Sequence, residues 1–359
     1  MDALAGLLEG PRARGAFMIR ACFDPPWSVR VEDRAPLTVM LMVRGEAWIM
    51  PDAGERSEMG VPAEGWGSVR LRAGDLAIAR GPDPYTCADD PGTEPQALIL
   101  PGGECRYPDG RSLNGVMDLG VRTWGDRVDG SAVMLIGTYL WQGEVSGRLL
   151  DALPPLLTLT PEVWDCPLTP LLMEEIVRDE PGQEVVLDRL LDLLVIAALR
   201  AWFARPEGEA PGWYRALADP VVGRVLRLVQ DDPAHPWTVA SLAAKAGVSR
   251  AALGRRFTEL VGEPPMTYLT GWRLALAADR LREGDATLEA IAREVGYGSA
   301  FALSSAFKRV YGVSPQEHRG RGGVGVAGGC GCGCGCGCGC VGAGRAHAAE
   351  PRIDTAPRP

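Results

Sequence analysis

Apolar and polar positions follow two periods along this chain, and the change falls near Leu168. Between residues 16 and 106 the apolar residues come in short runs separated by Gly, Asp and Pro. LTVMLMVRGEAWIM (Leu37–Met50) holds two such runs about Arg44-Gly45 and predicts a hairpin. VRLRAGDLAIA (Val69–Ala79) alternates, breaks at Gly74-Asp75 and resumes; ALIL (Ala97–Leu100) precedes Pro101-Gly102-Gly103. Val133–Trp141 adds a late strand. Short, regular strands with this punctuation predict a β-sandwich or barrel.

After Leu168 the spacing becomes helical. Leu171, Leu172, Glu175 and Ile176 open it, and VVLDRLLDLLVIAALRAWF (Val185–Phe203) carries a broad stripe through Leu187, Leu190, Leu191, Leu194, Ala198 and Leu199. So apolar a helix must bury its stripe against the barrel or against a second copy. Pro206–Gly212 reads as a linker, and Asp219–Arg319 as helices joined by short turns. Residues 320–359, rich in Gly, Ala and Cys without apolar period, bury too little surface to order. The expected fold class is multidomain α+β. Residues 1–160 form a β-barrel domain, and 161–212 a helical segment with a linker. Residues 219–319 form an all-α domain with two helix-turn-helix units, and 320–359 a disordered tail.

The helical block repeats one device. In WTVASLAAKAGVSRAALGRRFTEL (Trp237–Leu260), Thr238 caps a helix containing Leu242, Ala243 and Ala246, Gly247 supplies a left-handed turn, and Ser249 caps the next helix. Leu253 and Phe257, four apart, pack that helix back on the first. In TLEAIAREVGYGSAFALSSAFKRV (Thr287–Val310), Thr287, Gly296 and Ser299 take the same places, with Leu303, Phe307 and Val310 inward. Tyr268–Leu281 is long enough to be a rigid spacer helix. Two outward helices on one body suit successive major grooves, about 34 Å apart on B-DNA.

With Leu253 and Phe257 inward, Arg250, Ala251, Gly254, Arg255 and Thr258 face out. Arg255 is the candidate for a bidentate contact to guanine, and Arg250 and Arg256 for phosphates. In the second unit Ser299, Ala300, Phe301, Ser304, Ser305 and Lys308 form the outward stripe; Phe301 suits a thymine methyl, and Lys308 and Arg309 suit phosphates. Double-stranded promoter DNA is therefore the expected partner.

The net charge of −9 argues against a nucleic-acid binder until it is divided. Residues 1–218 hold 20 basic and 33 acidic side chains, whereas 219–319 hold 13 and 11, so the helical block alone tolerates a phosphate backbone. No apolar run spans a bilayer and the N-terminus lacks a signal-peptide layout, so a cytoplasmic protein without membrane contact is expected.

The helical block resembles the DNA-binding domain of the AraC/XylS family. The phrases that carry the likeness are WTVASLAAKAGVSRAAL, RRF, GEPPMTYLTGWRLALAADRL, IAREVGYGS, AFKRVYGVSP and the closing His318-Arg319. The resemblance implies base contacts from Ala251, Gly254 and Arg255. It departs at Ser305, where the family often carries arginine, and this weakens base reading by the second unit. It also implies activation, with RNA polymerase as a further partner. MIRACFDPPWSVRV, MLMVRGEAWI, LRAGDLAIARG and DEPGQEVVLDRLLDLLVIAALRAWF resemble the cupin-type domain that precedes such DNA-binding domains.

No histidine precedes His235, which excludes a histidine-ligated metal in the barrel and a metal-dependent cupin enzyme; no cofactor and no catalytic residue is expected. The barrel's input is then a small effector, in a pocket lined by residues such as Trp27, Trp48 and Tyr85, or oxidation of Cys22, Cys87 or Cys105. Plain core packing is the simpler account of the tryptophans, and buried thiols of the cysteines. The Leu187–Phe203 helix offers a homodimer contact. Six cysteines, Cys330 to Cys340, alternate with glycine and offer soft-metal thiolates, or else reflect a simple nucleotide repeat.

Overall fold

The computed structural model describes residues 17–52, 67–113, 115–139, 147, 150, 151, 153–164, 166–205, 210–284 and 286–322. Thirteen strands are described: β1 (Phe17–Phe23), β2 (Ser28–Val31), β3 (Leu37–Arg44), β4 (Glu46–Pro51), β5 (Val69–Arg72), β6 (Leu76–Arg80), β7 (Tyr85–Ala88), β8 (Ala97–Leu100), β9 (Glu104–Arg106), β10 (Asp118–Gly120), β11 (Thr123–Gly125), β12 (Ala132–Tyr139) and β13 (Leu156–Leu159). They form a seven-stranded sheet, β10-β11-β1-β12-β3-β6-β13, and a six-stranded sheet, β5-β4-β7-β2-β8-β9.

The seven-stranded sheet is buried on both faces. Met18, Val39, Leu41, Ile78 and Leu135 point into one core, while their neighbours Met40, Met42, Ala77 and Met134 point into another, between the sheets. Side chains alternate along a strand, so an unbroken apolar run such as LTVMLM feeds two cores at once.

The hairpin expected at Arg44-Gly45 does not form. β3 pairs with β12 and β6, whereas β4 pairs with β5 and β7 in the other sheet. β3 needs cover on both faces and β4 on one, so the chain changes sheets between them. Gly45 makes the corner at φ 75°, where a Cβ would sit 2.4 Å from the Ser131 carbonyl oxygen.

α1 (Thr169–Glu175) and α2 (Gln183–Phe203) cover the outer face of the seven-stranded sheet. The α2 stripe predicted from sequence is buried, and Val195 and Phe203 join it. Gly137 on β12 lets the helix approach, since a Cβ there would meet Leu191 Cδ1 at 2.4 Å. Of the two covers foreseen for this stripe, the barrel supplies it.

The linker expected at Pro206–Gly212 ends early. Residues 206–209 lie outside the described residues, and Gly212 opens α3 (Gly212–Ala216), its Cα pressed toward the Leu260 carbonyl. Beyond it stand α4 (Val222–Asp231), α5 (Val239–Ala246), α6 (Arg250–Val261), α7 (Pro265–Glu283), α8 (Leu288–Glu294), α9 (Ala300–Tyr311) and α10 (Pro315–Gly322). α10 carries order past the expected start of the tail at residue 320; the cysteine-glycine repeat lies outside the described residues. Among the described residues no helix is long and apolar enough to cross a membrane.

Candidate nucleic-acid interface

Each helix-turn-helix unit is built by local hydrogen bonds. Thr238 and Ser241 form a reciprocal capping box on α5: the Ser241 N–H donates to Thr238 Oγ1 at 3.0 Å, and the Thr238 N–H donates to Ser241 Oγ at 2.9 Å. Gly247 turns at φ 73°, the Val248 N–H donates to the Ala243 carbonyl at 3.0 Å, and Ser249 Oγ accepts from the Ala252 N–H at 3.2 Å. The second unit repeats this. Thr287 Oγ1 accepts from the Ala290 N–H at 3.2 Å, and Gly296 turns at φ 83°. The Tyr297 N–H donates to the Ala292 carbonyl at 2.7 Å, and Ser299 Oγ accepts from the Ala302 N–H at 3.2 Å.

The anchors lie where the spacing puts them. Leu253, Phe257, Leu303 and Phe307 are each 0% exposed. Val310 is 56% exposed, contrary to its expected inward place; it stands two residues before the Gly312 cap that ends α9.

α7 serves both units. Its Tyr268 and Leu269 belong to the core of the first, and its Leu274, Ala277, Ala278 and Leu281 to that of the second. At 1.5 Å per residue it is about 28 Å long, close to one turn of B-DNA. Arg273 on α7 donates to the Pro233 and His235 carbonyls at 2.7 and 2.8 Å. Gly296 abuts the same turn, and a Cβ on it would stand 2.8 Å from Ala234 Cα. Gly296 thus gives a left-handed turn and also a close approach between the units, a second reason that pattern reading missed.

On α6, Arg250, Ala251, Arg255 and Thr258 are exposed. The Arg255–Glu259 pair, 3.9 Å apart and largely exposed, holds Arg255 weakly. Gly254 lies on the same side, half-buried, and a Cβ there would meet nothing within 4 Å. Mid-helix glycine costs roughly 1 kcal/mol relative to alanine, and no internal contact requires it.

Arg256 has another occupation. Its Nε and Nη2 donate to Asp219 Oδ2 at 2.9 and 2.6 Å. Burial pushes the Asp219 carboxyl up, but the Val222 N–H and the Arg256 guanidinium more than offset this and leave it below the usual carboxylate value. Arg256, for which a phosphate role is expected, thus also ties α6 to the start of α4. A carboxylate opening the block was the available signal.

On α9, Phe301 is 82% exposed, Ser305, Lys308 and Arg309 are exposed, and Ser299, Ala300 and Ser304 are half-buried. Glu289 Oε2 accepts from the Ala300 N–H at 3.0 Å and pins the start of α9 to α8.

Between its sheets the barrel holds a cavity of about 200 Å³ that is partly open to solvent. Trp27, Tyr85, Cys87 and Cys105 line it. Trp48 does not: it is half-buried on β4 with the Arg70 guanidinium 5.8 Å from its ring centroid, because its strand position faces away from the inter-sheet core. Cys22 is buried outside the cavity wall, and burial raises its thiol. Burial pushes Cys87 up to about 12. Cys22, Cys87, Cys105 and Cys166 are free thiols. Among the described residues no His, Cys, Asp or Glu cluster could hold a metal ion.

α3 joins the barrel to the helical block. Tyr214 packs on Phe203 at 4.5 Å between ring centroids, and Trp213 packs against both the α2-side core and the Trp272–Ala275 core of α7.

Two families match this chain: one described as Cupin, over residues 2–204, and one described as Helix-turn-helix domain, over residues 242–321. A Streptomyces lividans protein described as an AraC-like transcription regulator is 37% identical over 257 residues, 70% of this chain and 79% of the relative. A Streptomyces antibioticus protein of the same description is 43% identical over 196 residues, 53% of this chain and 64% of the relative. The RCS-specific HTH-type transcriptional activator RclR of Escherichia coli K12 is 32% identical over 178 residues, 48% and 62% respectively. The DNA-binding domain of AdpA, solved with a target DNA, has a TM-score of 0.28 at 31% identity, covering 29% of this chain and 93% of that one.

Proposed function

We propose, proceeding from the fact that the chain belongs to the AraC family of DNA-binding transcription regulators, that α6 and α9 enter successive major grooves of promoter DNA and that a signal sensed in the barrel controls the binding. The observation that carries this reading is one capped helix-turn-helix geometry built twice on α7, each time with a buried Leu/Phe pair inside and small or cationic residues outside, joined on α9 by the exposed Phe301.

Arg255 reads guanine through its fork, while Ala251, Gly254 and Thr258 allow the helix to sit close to the base edges. Gly254 favours this: its helical cost has no internal return. Arg250, Lys308 and Arg309 hold phosphates and set register. Ser299, Ala300, Ser304 and Ser305 make the rest of the second surface, and Phe301 meets a thymine methyl. Replacing single thymines of a bound site by deoxyuridine is expected to weaken the wild type about three- to tenfold at one position, and Phe301→Ala less than twofold there. No sensitive thymine in the wild type would remove that role from Phe301.

A bound small molecule is favoured over oxidation of Cys22 or Cys87 as the barrel's signal, because these two thiols, raised by burial, hold little thiolate at neutral pH. Trp213, packed on both halves, and Tyr214, packed on Phe203, are the path by which barrel and DNA-binding domain affect each other. Val185, Val186 and Leu193, exposed on α2 opposite its buried stripe, suit a homodimer contact that sets two DNA-binding domains on repeated half-sites. Activation through RNA polymerase is the expected sign. The test is selection of binding sites from random duplexes, followed by transcription in vitro from a promoter carrying the enriched site. Transcript should rise with added protein; a fall would make the protein a repressor, and no enriched site would remove the proposal.

A further inference from the structure

We propose that α3 couples the barrel to the first helix-turn-helix unit alone, so that a signal in the barrel adjusts α6 while α9 stays a constant anchor on the DNA. The inference rests on reading the barrel as the sensor and α6 and α9 as the DNA-reading helices. α3 is only five residues long, Gly212–Ala216, and no side chain caps it at Pro211. A helix so short does not hold by itself, since its first turn fixes several dihedrals for one hydrogen bond. Packing on its two sides therefore sets whether α3 is ordered.

One side belongs to the barrel. Trp213 and Tyr214 pack on the core that holds Leu199, Phe203 and Ala210, and the Tyr214 ring lies 4.5 Å from that of Phe203 between centroids. The other side belongs to the first unit. Ala216 is 0% exposed in the core that also holds Leu242, Leu253, Phe257 and Tyr268, and Leu217 packs against it. The backbone contacts are tight. A Cβ on Gly212 would stand 2.6 Å from the Leu260 carbonyl oxygen near the end of α6, and one on Gly223 of α4 would stand 2.3 Å from the Leu217 carbonyl oxygen. Asp219 continues the tie. Its Oδ1 accepts from the Val221 and Val222 N–H groups at 3.0 and 2.9 Å, while its Oδ2 accepts from Arg256 of α6.

The second unit lacks such a tie. Among the described residues, neither α3 nor the barrel supplies any side chain to its core of Leu274, Ala277, Ile291, Leu303, Phe307 and their neighbours. Trp213 also packs on Trp272 and Ala275, midway along α7. A push there moves the two units as one body, because α7 is continuous between them. Loosening of α3 instead opens only the core that contains Ala216. Close-packed interiors pass on displacement, and they open locally in contiguous units.

Phe203→Ala, a change confined to the barrel side, tests this in the full chain by hydrogen exchange and mass spectrometry without DNA. Exchange in α6 should rise about tenfold while α9 stays within about twofold. Phe203→Leu, which keeps an apolar side chain but loses the ring contact, should raise α6 about threefold. It carries the test if the alanine variant loses the wild-type circular dichroism spectrum. Duplex affinity adds a reading that a general loss of packing would not give. The folded variant should bind the selected site about fivefold more weakly than wild type. That deficit should vanish once the half-site released by Arg255→Ala is scrambled, and persist once the other half-site is scrambled instead. Exchange rising equally in α6 and α9, or in neither, would overturn the coupling, as would a deficit that survives scrambling of the α6 half-site. If no duplex binds specifically, the DNA-reading assignment fails, and the exchange comparison still decides the coupling.

Discussion

Phe257→Ala should lower the stability of the helical half by about 3–5 kcal/mol and abolish specific DNA binding, with Phe307→Ala doing the same from the second unit. Both rings are fully buried, and truncating a buried phenylalanine loses its transfer energy and leaves a cavity. Each ring also has aromatic neighbours. Phe257 meets Tyr268 of α7 edge-on at 5.9 Å between centroids, and Phe307 meets Tyr311 at 4.5 Å and His318 of α10 at 5.2 Å. Removing either ring therefore loosens α6 or α9 from the core it shares with α7. A domain of this size holds only about 5–15 kcal/mol in total, so melting by circular dichroism should shift down by more than about 10 °C. Val310→Ala is the internal control, expected within roughly 0.5 kcal/mol of wild type because the side chain is exposed. Equal effects at Phe307 and Val310 would contradict the assigned faces of α9.

Arg255→Ala should weaken the selected site by 1–3 kcal/mol, roughly 5- to 150-fold, while leaving non-specific binding nearly unchanged. Arg255→Lys should rescue little, because a lysine point charge lacks the planar fork that spans guanine's two acceptors. The salt dependence separates base reading from charge. Lys308→Ala should reduce the slope of log K against log salt by about one and weaken all sequences alike. Arg255→Ala should change preference with little change in slope. A titration series at several salt concentrations, on the selected site and on a scrambled duplex, measures both. A uniform loss on both duplexes would make Arg255 a phosphate ligand.

The helical half was legible in sequence because its determinants are local. Thr238, Ser249, Thr287 and Ser299 cap within three residues, Gly247 and Gly296 turn within one, and the Leu/Phe pairs pack at four-residue spacing. What escaped were contacts across long separations. Arg256 looked like any outward arginine on α6, and only the fold brings Asp219 to it across 37 positions. Gly296 was read as a turn, while its approach to Ala234 depends on how the two units meet. The barrel was legible as strands but not as pairings. Arg44-Gly45 has the look of a hairpin, yet which sheet a strand joins depends on how many of its faces need cover, and β12 claims β3 from about 90 residues away. Trp48 fell off the cavity for the same reason: one step of register turns a side chain to the other face.

Hydroxyl-radical and methylation footprints of the full chain on its selected site test the central claim most directly. Two protected major-groove segments, centred about 10 base pairs apart on one face of the duplex, are the predicted result. Arg255→Ala should clear one and Phe301→Ala should thin the other. A single protected segment, or two on opposite faces, would contradict it.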